Sequence, residues 1–270
     1  MRSPAHSEDW VGRQQELRRL CDAMEKRESL LIWGDADAGK TALLGKAIGQ
    51  SPTDARKACL YADGGASVKE ILLKLVRSLW ENGHPRVTEK WRAAQGHHHM
   101  VSAWLREQSG GQLSRMVCGA LAEQPCWIFL DHAPPCTHSV AKFLKNLMWR
   151  WNTPVYTVAR GFSPVEAGQA WSLYWTDKYR LHLGPLPETD AAELLRLCIR
   201  RYALIRLELE DFREEVLRLS GRLPGAIVKM CALAAKPKYQ YERRIKTTLI
   251  HVDYLMGKQA DAFGHLESFE

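Results

Sequence analysis

The segment with the clearest chemical potential is Gly34-Asp35-Ala36-Asp37-Ala38-Gly39-Lys40-Thr41. It fits the pattern GxxxxGK[ST] of a phosphate-binding loop. The two glycines allow the backbone to wrap closely around phosphate oxygens, and successive backbone N–H groups supply positive potential. Lys40 would reach the β- and γ-phosphates, and the Thr41 hydroxyl would bind magnesium. Because Asp35 and Asp37 are acids beside a polyphosphate, we expect their side chains to point outward.

A second candidate is Asp131, which ends the apolar run Cys126–Leu130. A carboxylate at the end of a strand next to the phosphate-loop strand can hold magnesium, directly or through water. His132 follows at the position where many P-loop ATPases place a glutamate that orients the attacking water. A histidine is less suited than a glutamate to orient this water, so we expect slow hydrolysis of the bound polyphosphate. The alternative is that His132 has no role and simply follows the strand.

The elements around these residues predict an α/β fold. Apolar runs predict strands near residues 29–33, 58–62, 126–131, 154–160 and 179–183, with helical patterns between them. Strands that alternate with helices favour a parallel sheet covered on both faces. Ser67 is a candidate N-cap with Glu70 three residues on. Residues 81–111 have a weak pattern and are interpreted as a surface insertion with some helix.

From Pro187 onward the pattern changes, because segments 190–202, 210–219 and 226–235 are all helical. We therefore predict a parallel-sheet P-loop NTPase core at residues 10–185 and a C-terminal all-α lid subdomain at 186–235. A disordered N-terminus at 1–9 and a basic C-terminal tail at 236–270 complete the prediction.

Two further residues are candidates for contacts with a nucleotide. Arg160 ends the fourth predicted strand, where a cation could touch the γ-phosphate and report its loss; a surface arginine is the alternative. Pro224 lies in the break Gly221–Gly225 between two helices. A proline in such a turn can pack against an adenine or a ribose, and the alternative is a simple connecting turn.

Composition excludes several classes of protein. The 270 residues are 46% hydrophobic and 26% charged, which is ordinary for a globular protein. No apolar run is long enough to span a membrane, the N-terminus lacks the apolar region of a signal peptide, and the seven cysteines are scattered. We expect a cytoplasmic protein with free thiols.

The net charge of +7 permits an acidic partner without requiring one. The densest basic stretch, with Glu242 as its single acid, is a candidate nucleic-acid contact and comprises Lys236, Lys238, Arg243, Arg244 and Lys246. A solvated charged surface is the alternative interpretation.

Taken together, these motifs resemble the STAND and AAA+ group of P-loop ATPases, especially its NB-ARC-type and replication-initiator-type modules. The opening Trp10-Val11-Gly12-Arg13, followed by Gln15-Glu16-Leu17, resembles the segment whose backbone flanks the adenine. Gly34–Thr41 and Ile128–Asp131 resemble the Walker A and Walker B motifs, and Val158–Arg160 resembles sensor 1. Leu183–Leu186, Glu193–Leu195 and Gly221–Ile227 resemble the signature of the helical lid.

The resemblance implies ATP with Mg²⁺ as the ligand. It places Val11, Gly12 and Arg13 beside the nucleotide, together with the phosphate loop and the adjoining Ala42. The chain departs from the family pattern at His132, in the missing extra glycine of the loop, and in the lack of an assignable arginine finger.

The resemblance leaves three functions open. The first is a nucleotide-controlled switch or assembly module that works through a protein partner or self-association and exchanges ATP for ADP. The second is a DNA-directed AAA+ regulator of transposition or replication, of the TnsC or TniB type, which oligomerises on duplex DNA. The third is a pseudo-ATPase scaffold. Since about 35 residues follow the predicted lid, we expect a minimal ATPase.

Overall fold

A computed structural model describes residues 10–94, 100–159 and 164–263. These residues form two compact units. The sheet unit comprises residues 14–36 and 40–183, and the helical unit comprises residues 10–13, 37–39 and 184–263. The predicted disordered segment 1–9 and Arg160 lie outside the described residues.

The sheet unit is built on five parallel strands, which confirms the predicted fold class. In chain order they are β1 (Leu30–Trp33), β2 (Cys59–Asp63), β3 (Trp127–Ala133), β4 (Val155–Ala159) and β5 (Arg180–His182). The short apolar runs form these strands because a sheet buried on both faces excludes polar side chains from its interior. The order across the sheet is β2-β3-β4-β1-β5.

This strand order corrects one expectation. Asp131 was expected on a strand next to the phosphate-loop strand, but β1 pairs with β4 and β5, and β3 pairs with β2 and β4. One strand therefore separates Asp131 from the strand that precedes the loop. Local patterns predict that a strand forms, but they contain no information on which strand pairs with it.

Helices connect the strands of the sheet unit. They are α1 (Gln14–Glu25), α2 (Lys40–Gln50), α3 (Thr53–Lys57), α4 (Val68–Glu81), α5 (Pro85–Ala94), α6 (Val101–Glu107), α7 (Gly110–Glu123), α8 (His138–Trp149), α9 (Pro164–Ala167) and α10 (Gln169–Leu173). The Ser67 side chain accepts a hydrogen bond from the Glu70 N–H at the start of α4, as predicted. Asp177–Tyr179 forms a 3-10 turn before β5.

The prediction of a surface insertion at residues 81–111 is wrong. Helices α5 and α6 occupy most of the segment, and Val87, Trp91, Trp104 and Leu105 are buried in the main apolar cluster of the sheet unit. The two tryptophan rings lie 5.7 Å apart. The apolar periodicity of residues 81–111 is weak because two of the buried side chains are large tryptophans. Few other apolar side chains are then needed to cover this part of the core.

The helical unit contains α11 (Glu188–Arg201), α12 (Glu210–Leu219), α13 (Pro224–Ala234) and α14 (Thr247–Phe263). Two short 3-10 turns, Leu204–Arg206 and Pro237–Tyr239, lie between helices. Residues 186–235 contain only helices and a 3-10 turn as regular structure, as predicted for the lid, and beyond them β6 (Gln240–Tyr241) and β7 (Arg244–Ile245) form an antiparallel hairpin.

The stretch predicted as a separate basic tail is folded as far as residue 263. Tyr239, Ile250 and Tyr254 are buried in the same apolar cluster as α11 and α13. The packed core of the helical unit therefore continues beyond residue 235, although the basic residues of this segment suggested a separate tail.

The described residues bear on two expectations, which concern membrane-spanning segments and free thiols. Among residues 10–94, 100–159 and 164–263, no helix is both long and apolar enough to cross a membrane. All seven cysteines are free thiols.

Candidate functional site

The phosphate loop begins directly after β1. Gly34 has φ 147°, and a side chain at this position would collide with the carbonyl oxygen of Leu183. That carbonyl is fixed because the Leu183 N–H donates to the carbonyl of Trp33. Glycine is therefore required here both by its backbone angle and by the close approach of the chain that follows β5.

Lys40 is the first residue of α2 and is almost completely buried. Its ammonium group donates hydrogen bonds to the carbonyl oxygens of Gly34 and Asp35, each 2.7 Å away. The side chain thus folds back over the loop from which it emerges. Thr41 and Ala42 follow in the first turn of α2, where backbone N–H groups have no partners within the helix.

Residues 37–39 of the loop belong to the helical unit. The Asp37 carboxylate forms an ion pair with Lys229 at 3.0 Å and accepts a hydrogen bond from the Tyr254 hydroxyl at 2.8 Å. The expectation that Asp37 points outward is wrong, because these two partners neutralise and hold its charge. Asp35 is exposed, as expected. Burial, and then the hydrogen bond to Asp37, raises the pKa of Tyr254, so its hydroxyl remains a donor.

The turn around Pro224 lies against the same part of the loop. Pro224 is the first residue of α13, and its ring lies 3.3 Å from the position of a β-carbon added to Gly39. The Gly225 N–H donates to the Asp37 carbonyl at 2.8 Å. A β-carbon on Gly225 would lie 2.8 Å from that of Asp37, so this contact requires glycine.

The opening segment also reaches the loop. Gly12 and Arg13 have φ 70° and 64°, and Val11 is half-buried. The buried Arg13 guanidinium donates to the carbonyls of Ala38, at 3.4 Å, and Gly184. The structure therefore brings the opening segment and the loop together within the helical unit.

Asp131 is completely buried on β3, two residues before its end. Its Oδ1 accepts a hydrogen bond from the His132 N–H at 2.8 Å, and its Oδ2 accepts one from the Tyr61 hydroxyl at 2.6 Å. Burial, followed by the interaction with Asp131, raises the pKa of Tyr61, which therefore stays protonated and donates. Sequence reasoning missed Tyr61, since only the register of β2 against β3 reveals the contact.

His132 connects three segments of the sheet unit. Its backbone is left-handed, with φ 47°, at an irregularity in the pairing of β3 with β4. Nδ1 lies 2.7 Å from Oδ1 of Asp63, and Nε2 lies 3.2 Å from Oγ1 of Thr41. The structure thus brings Thr41 and His132 together. It adds Asp63, which the sequence could have suggested because it too follows an apolar strand.

These residues fit a small divalent ion. Thr41 offers a hydroxyl oxygen, and the Asp131 carboxylate provides negative charge that can act through water. Within the described part of the chain, no three His, Cys, Asp or Glu side chains form a metal-binding cluster. Phosphate oxygens and water can supply further ligands.

The basic stretch lies between α13 and α14 of the helical unit. Lys236 precedes the 3-10 turn Pro237–Tyr239 and Lys238 lies within it. Arg243, Arg244 and Lys246 lie on or beside the hairpin β6–β7. Two of the five cations are already paired. Lys238 is 2.9 Å from Asp253, and Arg244 is 3.3 Å from Glu208.

Comparison with known proteins identifies the fold. No family model and no curated protein matches the sequence. Among solved structures, the Walker-type ATPase PABY2304 of Pyrococcus abyssi is 16% identical, with a TM-score of 0.61 over 99% of this chain and 78% of that one. The fold is that of a P-loop ATPase.

Two further solved structures share this fold. The Orc1 protein of Aeropyrum pernix, solved in complex with DNA, is 16% identical, with a TM-score of 0.56 over 91% of this chain and 66% of that one. Cdc6p of Pyrobaculum aerophilum is 13% identical, with a TM-score of 0.55 over 86% and 64%. The chain spans less than two thirds of each of these two proteins.

Proposed function

We propose that this chain binds ATP with Mg²⁺ and acts as a nucleotide-dependent switch or assembly module that hydrolyses ATP slowly. The observation that carries the proposal is the position of Lys40. Its ammonium group is held on the carbonyls of Gly34 and Asp35, inside a glycine-bounded loop between a strand and a helix. Combined with the P-loop ATPase fold, this geometry suits a polyphosphate.

The residues of the loop would act together on the phosphates. The Lys40 ammonium would exchange its carbonyl partners for β- and γ-phosphate oxygens, and the backbone N–H groups from Gly34 to Ala42 would surround them. Residues 11–13 and Pro224 would lie beside the base or ribose. Asp37 would not repel the phosphates strongly, because Lys229 and Tyr254 hold its carboxylate.

Magnesium would be held by the Thr41 hydroxyl and, through water, by Asp131. The bound ion would neutralise charge on the phosphates. The Tyr61 hydroxyl and the His132 N–H fix the orientation of the Asp131 carboxylate, one on each oxygen.

Slow hydrolysis is supported by the contacts of His132. The ring is already engaged by Asp63 and Thr41, and a carboxylate that could orient a water is absent at position 132. Arg160, which follows Ala159 in the sequence, would sense the γ-phosphate. Residues 37–39 of the loop belong to the helical unit, and residues 34–36 and 40–41 belong to the sheet unit.

A second candidate function is DNA-directed assembly. It is favoured by the exposed cations of the hairpin β6–β7 and by the Orc1 protein of similar fold that was solved with DNA. In this alternative the chain would oligomerise on duplex DNA when ATP is bound. A scaffold that uses nucleotide only to fold is the third possibility, and nothing in the geometry favours it over the first two.

Replacement of Lys40 tests the proposed function. Lys40→Ala removes the cation and leaves the backbone of the loop in place. We expect the ATP- and Mg²⁺-induced rise in melting temperature, which scales as RT ln(1 + [L]/Kd), to be lost. Lys57→Ala, on the exposed end of α3, is the matched control and should keep it. An unchanged shift in Lys40→Ala would refute nucleotide binding at this loop.

A further inference from the structure

Asp63 and Thr41 contact different nitrogens of the His132 ring. Nδ1 is 2.7 Å from the Asp63 carboxylate, and Nε2 is 3.2 Å from the Thr41 hydroxyl. A neutral imidazole has one protonated nitrogen, which donates, and one that accepts. Because a carboxylate only accepts, Asp63 places the proton on Nδ1. The lone pair of Nε2 then faces Thr41.

The backbone holds this arrangement in place. Asp63 and Asp131 are register partners in neighbouring strands, and the Gly64 N–H donates to the Asp131 carbonyl at 2.7 Å. His132 follows Asp131 with φ 47°, a conformation that is uncommon for a residue other than glycine. Such conformations persist when the surrounding structure holds them, and they concentrate at functional sites.

We propose that Nε2 of His132 directly ligates the divalent ion that accompanies the nucleotide, beside the Thr41 hydroxyl, and that Asp63 is the positioning residue for the ring. The inference rests on the proposed function and specifies its metal site. It gives the ion one nitrogen ligand in a site that would otherwise contain only oxygen.

The observed distances suit two neighbouring ligands of one ion. In octahedral coordination with bonds of about 2.1 Å, adjacent ligand atoms are about 3 Å apart. The separation between Nε2 and Oγ1 is 3.2 Å. Metal-bound histidines usually donate their other N–H to a carboxylate, which fixes the ring and raises its basicity. Asp63 provides that partner.

The nitrogen donor changes the expected preference among ions. Magnesium favours oxygen ligands, whereas imidazole suits later divalent ions, whose affinity rises from Mn²⁺ through Co²⁺ to Ni²⁺. The wild type should therefore favour Co²⁺ over Mg²⁺ more than a variant with a carboxylate at position 132. Because the described residues form no metal cluster of their own, the ion and the nucleotide should bind together.

Pulsed electron paramagnetic resonance tests direct ligation. Full-length protein labelled with ¹⁵N only in histidine is loaded with Mn²⁺ and a non-hydrolysable ATP analogue. We expect a hyperfine coupling between Mn²⁺ and ¹⁵N that disappears in His132→Asp. His138→Gln, on the exposed start of α8, is the matched control and should keep the coupling.

Affinities measured by calorimetry provide a second test. For the same analogue, His132→Asp should lower the ratio of Co²⁺-supported to Mg²⁺-supported affinity. Asp63→Ala should weaken Co²⁺-supported binding about tenfold, as expected for loss of the partner of a ligating histidine. Asp63→Asn, whose amide oxygen can still accept from Nδ1, should retain most of it.

The outcomes separate this inference from the proposed function. If Mn²⁺ and the analogue bind to the wild type without a ¹⁵N coupling, direct ligation is overturned and nucleotide binding stands. If the analogue binds with none of these ions, both are overturned. The coupling in the wild type decides the question even if His132→Asp fails to fold.

Discussion

The Tyr254 hydroxyl donates a hydrogen bond of 2.8 Å to the carboxylate of Asp37, a residue more than two hundred positions earlier in the chain. Tyr254 lies on α14, within the stretch that the sequence suggested was a tail. Asp37 is a middle residue of the phosphate loop. The last described helix and residues 37–39 of the loop are therefore parts of one packed unit.

Removal of this hydrogen bond should destabilise the helical unit. Because hydrogen bonds to charged groups contribute about 1.5–3 kcal/mol, we expect Tyr254→Phe to lower the free energy of unfolding by about 2 kcal/mol in urea titrations. Tyr241→Phe, on the exposed hairpin, is the control and should have little effect. Equal stabilities of Tyr254→Phe and the wild type would show that the contact with Asp37 contributes nothing.

Asp131 should act through magnesium. Asp131→Asn preserves shape but removes the negative charge, and its amide group cannot accept hydrogen bonds from both Tyr61 and His132. We expect a weaker dependence of ATP binding on magnesium concentration, measured by calorimetry. Tyr61→Phe keeps the carboxylate and serves as the control for the lost hydrogen bond. Wild-type behaviour of Asp131→Asn across the titration would mean that another acid, such as Asp63, holds the ion.

A glutamate at position 132 should increase the rate of ATP hydrolysis. General-base catalysis typically contributes about 10²–10⁴-fold to a rate, and a carboxylate is better suited than an engaged histidine to orient a water. We expect His132→Glu to raise ATP turnover in Mg²⁺, or at least not to lower it, in a phosphate-release assay. Lys40→Ala provides the background rate. A sharp fall in His132→Glu would show that His132 itself positions the water or the ion.

The basic stretch, residues 236–246, should determine any binding to DNA. Replacement of Lys238, Arg243 and Arg244 with alanine should weaken duplex binding for all sequences. It should also flatten the dependence of log affinity on log salt, whose slope is about −0.9 per neutralised phosphate. A variant with Lys57, Lys69 and Lys90 replaced has the same net charge and is the control. If the wild type with ATP does not bind duplex DNA at low salt, the DNA-directed alternative is excluded.

Local features of this protein were predictable from the sequence. The phosphate-loop motif, the five strands and the N-cap at Ser67 each depend on residues that are close in the chain, so their patterns are legible without a structure. The same holds for the position of Asp131 near the end of an apolar strand. These features were sufficient to predict the fold class.

The tertiary structure decided which distant residues meet. The insertion of β4 between β1 and β3, the Tyr61–Asp131 contact and the Asp63–His132–Thr41 contacts depend on strand order and register. The partners of Asp37 depend on how α13 and α14 pack. Such pairings are selected by the burial of whole faces of helices and sheets, and the pattern within any one segment does not specify the partner that completes it.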